Sequence, residues 1–127
     1  DRLKLILVNK YTALHLAAFQ GCTETASGIL SCLTADQQLQ LICTQNSFGD
    51  TALHDAAQWE RTRTVKTLLD NLTPEQQLKL LSVQNNFGKT ASHFAAAIKE
   101  NKIEKMLKKY EQDAYSEVNY GKLGLQC

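Results

Sequence analysis

The feature that most constrains this chain is that it repeats itself. Three stretches align without a gap: Thr12 to Ala18 (TALHLAA), Thr51 to Ala57 (TALHDAA) and Thr90 to Ala96 (TASHFAA), with starts 39 residues apart both times. The same offset aligns Leu33 to Ile42 (LTADQQLQLI) with Leu72 to Leu81 (LTPEQQLKLL), and Gln45 to Thr51 (QNSFGDT) with Gln84 to Thr90 (QNNFGKT). Agreement in three separate places at one offset is the signature of a repeat architecture. A unit this short cannot bury its apolar face alone, so the units must stack.

Each unit reads as helix, helix, short helix and turn. The alanine-rich motif favours a helix and allows close packing. A break follows, clearest at Gly21, where a helix would end. Second helices are predicted at about residues 23–33, 62–72 and 100–111. Their apolar positions recur three and four apart: Ala26, Ile29, Leu30 and Leu33, then Val65, Leu68, Leu69 and Leu72, then Ile103, Met106, Leu107 and Tyr110. The third stripe begins one residue early, which predicts a shorter break in that unit. Thr34 with Gln37 and Thr73 with Gln76 are capping boxes that open an extra short helix, with Pro74 at its first position in the second unit. The turns Asn46 to Gly49 and Asn85 to Gly88 need glycine at positive φ.

Composition narrows the function. The 127 residues make room for one domain. A net charge of +1 lacks the basic excess of a nucleic-acid binder. The longest apolar run, Phe94 to Ile98, falls far short of the roughly 20 residues a membrane span needs. Cys22, Cys32, Cys43 and Cys127 match no metal-knuckle spacing and are expected to be reduced thiols, disulfides being the alternative. No leader is legible, so the expected location is the cytoplasm, with the nucleus as the alternative. The Asn71-Leu72-Thr73 sequon is accordingly read as accidental.

The Thr-Ala-x-His-x-Ala-Ala frame and the turn glycine resemble the ankyrin repeat family, whose motif Thr-Pro-Leu-His-x-Ala recurs about every 33 residues. The likeness covers essentially the whole chain. It implies an all-α solenoid of stacked helix-turn-helix units, here with short extra helices and turn fingers. Four departures stand out: alanine for proline, asparagine for the turn aspartate, the longer period, and Ser92 in place of leucine. Gln84-Asn85-Asn86 adds a weaker resemblance to NF-κB inhibitors of the IκB/Cactus type. The expected organisation is one domain over 1–127, with a partial repeat at 1–11 and repeats at about 12–50, 51–89 and 90–124. Leu3-Lys4-Leu5-Ile6 echoes the extra helix, and Val118 to Gly124 looks like a turn leading into another repeat. Both suggest a fragment of a longer array; a small protein with degenerate caps is the alternative. Exposed Leu3 to Leu7 would promote self-association.

The resemblance implies a protein-binding module without catalytic residues, metal or cofactor. His15, His54 and His93 would hydrogen-bond backbone of neighbouring turns. Helices packed about 8–10 Å apart do not suit zinc, which needs nitrogen at about 2.0–2.1 Å. Asp55 adjoins His54 in sequence, but neighbours on a helix do not face each other. The lysines at 99, 102, 105, 108 and 109 read as a solvated helix face, an acidic-partner patch being the alternative. The family's concave face maps to Tyr11, Ser47, Phe48, Asp50, Asn86, Phe87 and Lys89 on the turns, and to Phe19, Gln20, Gln58, Trp59, Ala97 and Ile98 at the first-helix ends. Phe48 and Phe87 either project for binding or pack beneath the turn. Phe19 and Trp59 differ from their counterparts in other units, which favours a partner-specific role. The expected function is a scaffold segment binding an unnamed protein through this groove; the alternative is an IκB/Cactus-like inhibitor masking a transcription factor.

Overall fold

The computed structural model describes residues 13–98 and 102–122, and these contain eight α-helices and no strand. In chain order they are α1 (Ala13–Gln20), α2 (Thr23–Ser31), α3 (Ala35–Ile42), α4 (Ala52–Gln58), α5 (Thr62–Asp70), α6 (Pro74–Ser82), α7 (Ala91–Ala96) and α8 (Lys102–Lys122). Helices α1, α4 and α7 form one stacked row, and α2, α5 and α8 form a second. Each first helix also packs on the second helix of its own unit. The core lies between the rows. Leu14, Leu30, Leu53, Val65, Leu69 and Leu107 are buried there. Ile29, Leu33, Met106 and Tyr110, at the edges of the expected stripes, pack half-buried against it.

The extra helices follow from two adjacent glutamines. Gln37 and Gln76 close the capping boxes: each accepts from the Thr34 or Thr73 N–H at 3.0 Å, and its own N–H donates to that threonine's hydroxyl at 3.2 and 3.3 Å. Their neighbours, Gln38 and Gln77, reach back to the preceding helix. Gln38 Nε2 donates to the Leu30 carbonyl at 2.7 Å, and Gln77 Nε2 to that of Leu69 at 2.9 Å. Those carbonyls belong to helix ends, where partners are otherwise missing. One glutamine thus starts the new helix and the next ties it to the old one.

The third unit departs from the pattern. No capped short helix follows its second helix; α8 runs unbroken for 21 residues. The stretch after Tyr110 reads Glu111-Gln112-Asp113-Ala114-Tyr115, without the Leu-Thr step of the other units or the proline of the second, so nothing interrupts the helix. Ala114 on the continuation is buried, and α8 packs along α6. Val118 to Lys122, expected as a turn, is therefore helical. Tyr11, Leu3 to Leu7 and Lys99 fall outside the described residues.

Candidate functional site

The turns are built by asparagine. Asn46 Oδ1 accepts from the Phe48 and Asp50 N–H groups at 2.9 and 3.0 Å, and Asn85 Oδ1 accepts from Phe87 and Lys89 at 2.9 Å each. An aspartate could accept these bonds too. Only the amide also donates, and Asn85 Nδ2 donates to Asp50 Oδ1 of the neighbouring turn at 2.9 Å. Asn86 adds two more links: its N–H to the Phe48 carbonyl and its Nδ2 to the Ser47 carbonyl, both at 2.9 Å. The approach is so close that a Cβ on Gly49 would lie 2.6 Å from the Asn86 nitrogen, besides being strained at φ +82.

The histidines tie these turns to the first helices. His54 Nδ1 accepts from the Thr51 N–H at 3.1 Å, which leaves the proton on Nε2; that nitrogen donates to the Lys89 carbonyl at 2.9 Å. His15 Nε2 makes the equivalent bond to the Asp50 carbonyl at 2.8 Å. Burial lowers the pKa of both rings and keeps them neutral. Thr51 and His54 approach each other as a nucleophile and base would, yet both are fully buried and the pair is a helix cap.

On this frame the aromatic side chains project. Phe48 and Phe87 are 60% and 72% exposed, so they do not pack beneath their turns. Helix α4 ends at Gln58, the chain reverses through Glu60 at φ 57, and the Trp59 ring is left 46% exposed. It meets Phe19 of the preceding unit edge-on, with ring centroids 4.8 Å apart. Arg61 Nε donates to the Phe19 carbonyl at 3.1 Å and joins the two units behind that pair. Gln20, Ser47, Gln58, Asn86, Lys89 and Ala97 are exposed, and Ile98 is half-buried. Asp50 departs from expectation. It is 9% exposed, because its carboxylate is drawn to Asn85 and not out to solvent.

Asp55 lies outside the expected concave-face set but stands out in its environment. Its counterparts in the outer units are Leu16 and Phe94, so it is the one charged residue in an otherwise apolar row. The same unit-by-unit comparison that singles out Trp59 would have found it. Asp55 is 6% exposed, its Oδ2 carries no hydrogen bond, and its pKa is raised to about 7 by burial and then by the nearby Asp50 charge. It precedes Trp59, the cap residue of α4, by four residues, and the Trp59 N–H donates to the Asp55 carbonyl at 3.1 Å.

Among the described residues no group of three or more His, Cys, Asp or Glu side chains could hold a metal ion, and no helix is long and apolar enough to cross a membrane. A cleft of about 540 Å³ lies where the α1–α2 and α4–α5 breaks meet. Its charged lining is mixed, Arg61 and Arg63 beside Glu24 and Glu60. A family model of ankyrin repeats, in three copies, matches residues 2–79, more than half of the chain. No curated protein matches it.

Proposed function

The chain belongs to the ankyrin repeat family, and from that membership we propose that it binds a partner protein through the face formed by its turn tips and first-helix ends. Ankyrin repeats are in general protein-interaction modules. The observation that carries the reading is the Phe19–Trp59 pair. Two large rings from different units stay in contact and substantially exposed, where Gln20 and Ile98 show that the fold itself requires no tryptophan. Rigid aromatic anchors of this kind dominate the energetics of interfaces. Phe48 and Phe87 extend the apolar surface along the turns. The Gln84-Asn85-Asn86 segment, the ground for a transcription-factor-masking reading, is spent on bonds between turns and says nothing of the partner. The working organisation remains one domain with units at about 12–50, 51–89 and 90–124.

The test is Trp59→Ala. Its melting temperature should stay within a few degrees of the parent, while affinity for a partner captured by the parent domain falls by about 2 kcal/mol. Loss of several kcal/mol of fold stability, with affinity per folded molecule unchanged, would remove Trp59 from the binding face.

A further inference from the structure

We infer that the outer face shared by α5 and α8 is a second binding surface, and that it takes a short acidic segment of a partner protein, with carboxylates against Lys66 and Lys109 and an apolar side chain on Met106 and Tyr110. This surface lies on the second row of helices and does not depend on the groove reading above.

Charge is divided unevenly along the chain. From Ala13 to Glu60 there is no lysine or arginine. Helix α5 then brings Arg63 and Lys66, and the first half of α8 brings Lys102, Lys105 and Lys109, all of them exposed. The two helices pack side by side, and the Tyr110 hydroxyl donates to Asp70 at 2.6 Å, which fixes their register. The fold does not require these cations, since the first unit holds Glu24 and Ser27 at the positions of Arg63 and Lys66. Among the described residues no acid pairs with Arg63, Lys102, Lys105 or Lys109. Lys66 meets Asp70 only at 3.9 Å, with both side chains exposed. An exposed pair of that length contributes little and is readily exchanged for a better one. Like charges gathered on one face repel each other, and an anionic partner removes that repulsion.

The surroundings specify the partner further. Between the two helices lies a crevice of about 360 Å³, lined by Lys66, Met106, Lys109, Tyr110 and Asp113. Its apolar part is the Met106 thioether and the Tyr110 ring, both half-buried against the core. A thioether adapts to the shape of what it meets. Two ammonium groups over an apolar floor suit a carboxylate with an apolar neighbour. The patch is also short. From Lys102 to Lys109 it covers about 10 Å of helix. Beyond that, α8 exposes Glu111, Asp113 and Glu117. A nucleic acid or an anionic membrane carries its charge past that limit and meets those acids. A few carboxylates on one peptide segment do not.

The test is a selection of random twelve-residue peptides displayed on phage against the intact domain, with the Lys66→Glu/Lys109→Glu domain as counter-selection. Survivors should carry several carboxylates beside an apolar residue. Lys66→Gln and Lys109→Gln should each weaken their binding about fivefold. Asp113→Asn removes the acid from the crevice and should strengthen binding about threefold, a gain that general loss of structure would not produce. Raising salt from about 0.05 M to about 0.5 M should weaken binding about tenfold. Trp59→Ala should leave it unchanged. Survivors without carboxylates, or acidic survivors indifferent to all three crevice substitutions, would overturn the inference, as would a selection without survivors. Survivors that need Trp59 would belong to the groove and count against this surface. A duplex oligonucleotide or phosphatidylserine vesicles binding more tightly than the acidic peptides would overturn it in favour of a polyanion.

Discussion

The second and third units carry nearly the same motif, TALHDAA and TASHFAA, in different surroundings. In both, the histidine Nδ1 sits close to the N–H of its threonine, at 3.1 Å for His54 and 2.9 Å for His93. The local cap therefore forms wherever the letters occur. The bond through the stack does not. His54 is fully buried and reaches the Lys89 carbonyl of the next turn, whereas His93 is exposed, with no such carbonyl beside it among the described residues. Leu53 and Ala57 are fully buried, while their counterparts Ser92 and Ala96 are half-buried and exposed. One motif thus makes two structures. The difference shows that its histidine does two jobs, one owed to its own helix and one to its neighbour.

That contrast can be broken most directly at the histidines. Removing His54 breaks a buried network on both sides of the ring, so His54→Ala should cost about 3 kcal/mol in urea unfolding. His93→Ala loses only a solvent-exposed cap and should cost under about 1 kcal/mol. Equal shifts in the two midpoints would mean that the through-stack bond contributes nothing.

Asp55 sharpens the comparison, since Phe94 holds its place in the third unit and meets His54 edge-on with ring centroids 5.5 Å apart. The Asp55 carboxyl titrates at about 7 in the fold, against an ordinary value of 3.8. At a pH below about 4 both folded and unfolded states hold the proton, and the site costs nothing. As pH rises toward 7 the unfolded chain releases its proton first, so stability falls, and above 7 the full penalty applies. Asp55→Asn should match the parent most closely at pH 4 and below and exceed it by about 4 kcal/mol at pH 8. His15 and His54 act on the other limb. Their pKa values lie below 6.5 in the fold, so both proteins should lose stability as pH falls below that value. A pH-independent difference between the two proteins would show that the carboxyl does not titrate as described.

Smaller effects belong to the turns and breaks. Gly49 and Gly88 both have positive φ, but only at Gly49 would an added Cβ strike the neighbouring turn. Gly49→Ala should cost about 3 kcal/mol and Gly88→Ala about 1 kcal/mol, the backbone strain alone. Matching melting temperatures for the two variants would deny the close approach of the turns. Least of all, Glu60 occupies in the second unit the left-handed position that Gly21 fills in the first, at φ 57 against φ 73. Glu60→Gly should relieve about 0.5 kcal/mol and raise the melting temperature by one or two degrees, with about the same gain expected wherever glycine replaces a strained residue.

Much of the architecture was legible because it is local. The Thr34 and Thr73 caps, Pro74, the break at Gly21 and the turn glycines act within four residues of themselves, so their spacing alone announced these helix starts, this break and these turns without any neighbour. The exposed position of Phe19 and Trp59 followed from the resemblance to the family's concave face, with the comparison of units adding to it at Trp59. Other features were not local. The roles of Gln38 and Gln77 depend on the carbonyls of a preceding helix, and the inward turn of Asp50 depends on Asn85 in the next unit. The unbroken α8 was foreshadowed only by a missing cap, a weaker signal than a present one.

Periodicity, capping and turn chemistry decided that this chain is a stack of helical units, because each depends on contacts a few residues long. Stacking decided the rest: which histidine is buried, which asparagine bridges two turns, and that the lone acid in an apolar row is left without a partner. Those outcomes join residues 35 to 42 positions apart, as in His15 to Asp50 and Arg61 to Phe19. At that range the chain's own letters name the groups, and only the packed neighbour determines whether they meet.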